Sequence, residues 1–276
     1  MKIAVISDIH CTKAGATSFD VRPVVRDFVR WATESGADLL LDLGDRIDDV
    51  DRQTDLATAH DLAGIFAQFP GRRTHLLGNH DVVNLTADDH HRLFGHRPGH
   101  RTIDLGSHRL LVWEPSVVFS RLRGFPPAQS ELAWLVRALE ADDRPAIIVS
   151  HIPVSGAAMT GNYYFENNAD FATYPDHADI RRAVARTGRA AIWLSGHVHW
   201  NSVANVGNTF HLTVQSASET FTTMPDPASA FALLEIDDRV AARFQVFGRD
   251  PLSLEIPFMA PGLHPWPEPR ALVARG

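Results

Sequence analysis

Five short segments of this chain carry side chains able to bind metal ions or transfer protons. They are Asp8-x-His10, Gly44-Asp45, Gly78-Asn79-His80-Asp81, His151 and Gly196-His197-x-His199. Each segment follows a short apolar run that is typical of a buried β-strand. Because ligands of open α/β sheets bind beyond the C-terminal ends of the strands, we expect the five segments to converge on one site.

The donor atoms in these segments favour transition metals. Carboxylate, imidazole and amide oxygen together suit Mn, Fe, Zn or Co better than Ca or Mg, which prefer oxygen alone. Residues two apart in an extended chain point the same way, so both members of Asp8-x-His10 and of His197-x-His199 are expected to face one ion. Seven candidate ligands suit two ions that share a carboxylate, an arrangement that clamps the attacking and leaving oxygens of a phosphoryl displacement.

The elements that must position these segments alternate between strand and helix. Apolar runs predict strands over the opening KIAVISDIH and over 37–43, 73–77, 109–113, 146–150 and 190–195. Helical spacing predicts helices over 23–36, 54–69, 128–141 and 177–187. Turn residues separate predicted hairpin strands at 209–215, 229–236, 240–247 and 252–258. This order predicts packed sheets with helices outside, in one domain over 1–258, followed by a proline-rich tail over 259–276.

Composition narrows the class of protein. The chain of 276 residues has 26 Lys+Arg against 33 Asp+Glu, a net charge of −7, which argues against a nucleic-acid partner held by bulk charge. The single cysteine, Cys11, precludes an intrachain disulfide, and we find no targeting segment or apolar stretch long enough for a membrane helix. We therefore expect a cytoplasmic protein that acts on a small phosphorylated substrate, such as a nucleotide. The sequence is compatible with a homo-oligomer.

The ordered set of motifs resembles the calcineurin-like metallophosphoesterase superfamily. D8-x-H10, G44-D45, G78-N79-H80-D81, H151 and G196-H197-V198-H199 stand in the family's order, each in strand context. The resemblance implies a four-layer α/β/β/α sandwich of two mixed sheets with flanking helices. The motifs are closest to the branch that resembles cyclic nucleotide phosphodiesterases. Glu219-Thr220, Ala230-Phe231 and Gly248-Arg249 are more loosely similar to ADP-ribose/CDP-alcohol diphosphatases.

The resemblance also implies a role for each motif residue. One transition metal ion (Mn, Fe or Zn) would be held by Asp8, His10, Asp45 and His199, and a second by Asp45, Asn79, His151 and His197. A metal-bridging hydroxide would attack phosphorus. His80 would protonate the leaving oxygen or stabilise developing charge, and Asp81 would orient the His80 imidazole.

The remaining chemistry-bearing residues have structural alternatives. Ten of the 15 histidines stand outside the motifs and are interpreted as ordinary surface or core groups. Asp48, in a G-D-x-x-D pattern, is expected to support a ligand rather than to be one. The basic run 90–101 is either a substrate contact or a solvated insertion. In the aromatic and asparagine-rich stretch 155–174, we expect Asn162 and Tyr163 to contact substrate at the rim of the site.

The function predicted from these residues is hydrolysis of a phosphoric ester, with a diester as the first choice. A nucleotide diphosphatase and a phosphomonoesterase are alternatives, because the same metal core serves all three reactions. An alternative of another class is a catalytically silent scaffold on the same fold, which the filled ligand positions disfavour.

Overall fold

A computed structural model describes residues 1–12, 19–237 and 241–257. The strands within these ranges are β1 Lys2–Ile6, β2 Leu39–Asp42, β3 Arg72–His75, β4 Arg101–Asp104, β5 Arg109–Val112, β6 Ala146–Val149, β7 Ala190–Ser195, β8 Ser202–Val206, β9 Thr209–Thr213, β10 Phe231–Ile236, β11 Ala241–Phe247 and β12 Leu252–Pro257. The helices are α1 Arg22–Glu34, α2 Arg52–Phe66, α3 Asp81–Asn84, α4 Ala87–Phe94, α5 Gln129–Glu140, α6 Ala169–Ala172 and α7 His177–Thr187. The predicted tail over 259–276 lies outside the described residues.

The strands form two mixed sheets of six. The first has the order β12-β11-β10-β1-β2-β3, and the second has the order β4-β5-β6-β7-β9-β8. In the first sheet β1, β2 and β3 run parallel, and in the second β5, β6, β7 and β9 run parallel. Parallel strands place their C-terminal ends at one edge, so each sheet brings several motif segments to the same edge.

The two sheets pack face to face and carry helices on their outer faces. Ile3 and Leu41 of the first sheet share a buried core with Ile147 and Leu194 of the second. Alternate residues of the same strands point outward, where one cluster packs α1 and α2 on the first sheet and another packs α5 and α7 on the second. The result is the four-layer α/β/β/α sandwich that the sequence predicted.

Local capping chemistry moves one predicted boundary. Helix α2 begins at Arg52 rather than at 54, because the Asp51 side chain accepts the Thr54 backbone N–H at 2.9 Å and so caps the helix.

Residues 209–213 were predicted as part of the C-terminal hairpins, but β9 lies parallel to β7 in the second sheet, whereas β10–β12 belong to the first. The turn pattern carries no information on which sheet a strand joins. Of the helices over the described residues, none is long and apolar enough to cross a bilayer.

Part of the basic run 90–101 packs on the Gly78–Asp81 segment, while Arg92 and Arg97 are exposed to solvent. Its first residues end α4, and His90 is buried, with Nε2 2.9 Å from the Asp81 carbonyl oxygen. Arg101 pairs with the half-buried Glu114 at 2.8 Å, and the same carboxylate accepts the Leu77 backbone N–H at 2.9 Å. The run therefore supports the Gly78–Asp81 segment from behind.

Candidate metal centre

The five motif segments follow β1, β2, β3, β6 and β7, as the sequence predicted. The first three of these strands are neighbours in one sheet, and the last two are neighbours in the other. Because the sheets face each other, the loops beyond their C-terminal ends meet across the interface. Hydrogen bonds join them across the interface: the His197 N–H donates to Asp8 Oδ2 at 2.9 Å, and His151 Nδ1 lies 2.9 Å from the Leu43 carbonyl oxygen.

The first cluster consists of Asp8, His10, Asp45 and His199, whose ligand atoms all lie within 4.8 Å of one another. The Nε2 atoms of His10 and His199 are 3.0 Å apart. His199 Nε2 is 3.4 Å from Asp8 Oδ1, and His10 Nε2 is 3.9 Å from Asp45 Oδ2. This is the predicted first ligand set.

The second cluster consists of Asp45, His151 and His197, again with ligand atoms within 4.8 Å of one another. His151 Nε2 lies 3.2 Å from Asp45 Oδ2, so Asp45 belongs to both clusters. The neighbouring His80 N–H donates to Asp45 Oδ1 at 2.8 Å and fixes the Asn79–His80 segment against it. Asn79 Oδ1 is buried and has no hydrogen-bond partner among the described residues.

Each of the four imidazoles has one nitrogen engaged outside the clusters. His151 Nδ1 lies 2.9 Å from the Leu43 carbonyl oxygen, and His197 Nε2 lies 2.7 Å from that of Phe171. His10 Nδ1 lies 3.3 Å from Asp48 Oδ1, and His199 Nδ1 lies 3.5 Å from Glu219 Oε1. These oxygens only accept, so the proton of each neutral ring is held on the outer nitrogen and the inner nitrogen keeps its lone pair.

The residues present therefore fit two transition metal ions. Asn79 Oδ1 is buried without a hydrogen-bond partner among the described residues, a costly arrangement that a cation would relieve. The donors are nitrogen and oxygen, as Mn, Fe and Zn accept. Asp45 stands between the two sets, where a bridging ligand must lie.

Left-handed backbone, rather than extended strand, points the paired residues into the site. The angle φ is +49° at Asp8, +44° at His10, +69° at His197 and +59° at His199. The expectation that each D-x-H or H-x-H pair is extended is therefore wrong. Such angles cost a non-glycine residue about 1–3 kcal/mol and persist only where the surroundings enforce them. The expectation that His197 and His199 face one ion is also wrong, because the two side chains belong to different clusters.

Two motif glycines are required because a neighbouring loop lies too close to their Cα atoms to leave room for a side chain. A Cβ added at Gly78 would collide with the backbone nitrogen and the carboxylate of Asp45. One added at Gly196 would collide with the side chains of Ser7 and Asp8. The Gly-Asn-His-Asp and Gly-His-x-His motifs therefore need glycine because a carboxylate of the candidate metal centre packs directly on the backbone.

Opposite charges in the clusters keep the carboxylates ionised. Burial alone would raise the pKa of Asp8, but His199 outweighs burial and lowers that pKa to about 2. Burial and His151 act in the same opposed way on Asp45, and His151 brings the pKa of Asp45 well below its usual value. The pKa of His197 is lowered to about 3, first by burial and then by His151. Burial would lower the pKa of His151 and of His199, but Asp45 and Asp8 outweigh burial and raise these values to about 9 and about 10. At neutral pH the metal-free site thus presents carboxylates and a neutral His197, and a cation would displace a proton from His151 and from His199.

Asp81 does not have the position that the sequence prediction gave it. Its fully buried carboxylate accepts the backbone N–H groups of Gly78 and Asp45, both at 2.9 Å, and of Arg46 at 3.1 Å. Asp49 Oδ2 is the carboxylate oxygen near His80, 3.4 Å from Nδ1. The prediction that Asp81 orients the imidazole is therefore wrong, because its oxygens are occupied in joining two motif loops.

Asn162 also has a different position from the one predicted. It is buried, its Oδ1 accepts the N–H groups of Tyr164 and Phe165 at 3.0 Å, and its Nδ2 donates to the Val198 carbonyl oxygen at 2.9 Å. These bonds tie the 155–174 stretch to the His197–His199 loop, so the prediction that Asn162 contacts substrate is replaced by a positioning role. Tyr163 is 66% exposed, as a rim residue should be.

The sequence interpretation missed two supporting carboxylates. Asp49 directly follows Asp48, and the two acids contact different histidines, His80 and His10. Glu219, noted only for a loose family similarity, faces His199 from the loop after β9. The run Asp48-Asp49 was a usable signal, whereas nothing near Glu219 indicates its partner 20 residues away.

Comparisons with known proteins agree with this fold. Among solved structures, a dimetal phosphatase from Danio rerio has 15% identity and a TM-score of 0.74, covering 94% of this chain and 99% of that one. GAP50, described as the anchor in the inner membrane complex of Plasmodium, has 10% identity and a TM-score of 0.67, covering 95% and 90%. The protein TT1561 of Thermus thermophilus has 15% identity and a TM-score of 0.57, covering 90% and 98%. No curated protein matches the chain.

These distant structures support the fold, and a family model supports the sequence resemblance. The model, described as calcineurin-like phosphoesterase, matches residues 1–201, a range that holds all seven candidate ligands. The match covers well over half of the chain, and the chain therefore belongs to the calcineurin-like phosphoesterase family.

Proposed function

We propose that this protein is a hydrolase of phosphoric esters that uses two metal ions. The observation that carries the proposal is the sharing of Asp45 between two His/Asp clusters, in which the outer nitrogen of each imidazole faces an accepting oxygen and the inner nitrogen is left for a ligand. In this proposal Asp8, His10, Asp45 and His199 hold one ion, and Asp45, Asn79, His151 and His197 hold the other. When bound, two such cations would lower the pKa of water and neutralise charge on the phosphate.

His80 is the proton donor in this proposal. Its side chain is 31% exposed although Nδ1 is buried, and its ring centroid lies 4.8 Å from that of His10. With Asp49 facing Nδ1, the proton for the leaving oxygen is held at Nε2.

The charges at the rim favour a diester over a monoester. Asp48, Asp49 and Glu219 each face a histidine of the site, and their side chains are 42%, 36% and 27% exposed. These carboxylates repel a dianionic monoester more strongly than a singly charged diester, because the repulsion scales with the substrate charge. A phosphodiesterase is therefore the proposed activity, and we retain a cytoplasmic location in the proposal because one cysteine precludes an intrachain disulfide.

Metal content and turnover, measured together, test the proposal. Purified protein dialysed with Mn²⁺ should hold two ions per chain and hydrolyse bis(4-nitrophenyl) phosphate faster than 4-nitrophenyl phosphate. Asp45→Ala should lose both ions and nearly all turnover. His80→Ala should keep both ions and lose about 10²–10⁴-fold in rate.

The alternatives give different results in the same experiments. Faster hydrolysis of the monoester would replace the diester assignment by a phosphomonoesterase, and preferred turnover of ADP-ribose would replace it by a diphosphatase. A chain that binds no metal and turns over no ester after Mn²⁺ addition would be a scaffold. GAP50, described as an anchor, shows that the fold alone does not decide between enzyme and scaffold.

A further inference from the structure

Two aromatic side chains stand beside the first ligand cluster and are not explained by the metal centre or by the core. The Phe221 ring is stacked on the His199 imidazole, with centroids 5.9 Å apart and planes at 22°. The Tyr163 ring meets Phe221 edge-on at 4.4 Å. We call this pair, Tyr163 and Phe221, the aromatic wall.

The wall is exposed where an ordinary aromatic pair would be buried. Tyr163 is 66% exposed, and Phe221 is only partly buried. Large exposed rings next to a site of chemistry indicate a surface that a ligand covers, since a scattered exposed ring gains nothing from being held in place.

Hydrogen bonds hold one part of the wall to the loop of His197 and His199 and the other part to the end of β9. The Asn162 side chain bonds the backbone of the Tyr163 segment to the Val198 carbonyl oxygen, between His197 and His199. On the other side, Thr222 Oγ1 accepts from Gln215 Nε2 at 2.7 Å, which fixes the Phe221 segment to the end of β9. The orientation of the wall toward the site is thus built in before a ligand binds, which lowers the entropy cost of binding.

A carboxylate, Glu219, lies close to the aromatic wall. Glu219 lies 3.5 Å from His199, and burial together with this carboxylate raises the pKa of the Tyr163 phenol. A second phosphate next to the wall would be repelled, whereas an uncharged ring would not. The wall is therefore suited to a neutral planar group that is attached to the reacting phosphate.

We propose that the aromatic wall stacks a nucleobase of the substrate, so that the preferred substrates are phosphodiesters carrying a nucleoside on the His199 side of the metal centre. This inference rests on the proposed phosphodiesterase function and names its substrate class. Every base has a π-face, so the wall selects for a base without selecting one base over another.

Two diesters that differ only in the base test this proposal. Thymidine 5′-(4-nitrophenyl phosphate) is compared with the 1,2-dideoxyribose analogue, which lacks thymine and has the same reacting phosphate and leaving group. The ratio of their kcat/KM values with Mn²⁺ measures the contribution of the base. For the unmodified protein we expect a ratio of about tenfold or more, the scale of one base–aromatic stack.

Variants of the wall assign that ratio to its residues. Tyr163→Leu and Phe221→Leu should each bring the ratio toward one, and Tyr163→Phe should preserve it because the ring remains. Tyr164→Leu is the matched control. Tyr164 is also exposed and packs mainly on Phe165, with ring centroids 4.9 Å apart, and more loosely on Tyr163 at 6.5 Å. Because it is not part of the wall, its loss should leave the ratio as in the unmodified protein.

The outcomes separate the two proposals. Turnover of both diesters with a ratio near one in the unmodified protein, or a ratio that Tyr163→Leu and Phe221→Leu leave intact, would overturn the aromatic wall as a base site. Turnover of neither diester in a metal-loaded protein would overturn the phosphodiesterase function itself, and the wall with it.

Discussion

The substitution Asp81→Asn separates the role that the sequence motif implies for this residue from the role that the structure shows. The carboxylate accepts three backbone N–H groups at 2.9–3.1 Å and lies 3.3 Å from Arg46, all in a fully buried setting. An asparagine keeps one oxygen, which can preserve the two bonds from Asp45 and Gly78. Its NH₂ group must then face the Arg46 N–H, so a donor meets a donor.

The expected loss follows from these contacts. One bond to a charged acceptor contributes about 1.5–3 kcal/mol. Removing one partner of a buried ion pair costs about 3–5 kcal/mol, here softened because Arg46 keeps Asp42 at 2.7 Å. We expect Asp81→Asn to lower the free energy of unfolding by about 3–5 kcal/mol, a large share of the roughly 5–15 kcal/mol typical of a domain.

Urea unfolding of metal-free protein measures this loss, and metal analysis of Mn²⁺-dialysed protein measures its effect on the site. Because Asp81 joins the Asp45 and Gly78 loops, fewer than two ions per chain should be retained. The matched control is Asp49→Asn, since its side chain is 36% exposed: stability should change by about 0.5 kcal/mol or less while turnover falls. Asp81→Asn with unchanged stability and metal content but slow turnover would refute this reasoning and restore an orienting role toward His80.

Three further outcomes are expected. Gly78→Ala should release metal, because the new methyl group would displace the Asp45 carboxylate, and full metal content in this variant would contradict the close approach. Asn162→Ala should lower kcat/KM more for the nucleoside diester than for its base-free analogue, with lower loop protection in hydrogen exchange, because it loosens the segment that orients Tyr163; an equal loss on both diesters would show that Asn162 does not orient the aromatic wall. Burial, with Arg181 nearby, lowers the pKa of His211 from 6.5 to about 3. Below pH 6.5 the unfolded chain therefore binds a proton at His211 that the folded chain does not, and stability falls. Urea titrations should show the unmodified protein losing about 2 kcal/mol more than His211→Gln between pH 6.5 and 5. Parallel pH profiles of the free energy of unfolding for the two proteins would show that His211 is not the group responsible.

The fold was predictable because its signals are local. Apolar runs that end in Gly-Asp, Gly-Asn-His-Asp or Gly-His-x-His indicate strands with polar loops at one edge, and the order of those motifs indicates the family. The edge strands β4 and β8 were missed because their residues are half exposed and lack a strong apolar pattern. Helix α4 was missed because its charged residues mask a capping box at Thr86 and Asp89.

The sequence by itself determined which residues form the candidate centre: the two His/Asp clusters consist of predicted ligands, because their types and order are properties of the chain. Only the tertiary structure decided what each polar group contacts. Asp81 joins two loops, Asp49 faces His80, and Asn162 ties a loop to the His197–His199 segment. Glu219 reaches His199 from another part of the chain, and Tyr163 meets Phe221 across two loops. Such pairings depend on how the two sheets bring distant loops together. The residues next to a side chain in sequence do not indicate which distant side chain it will contact.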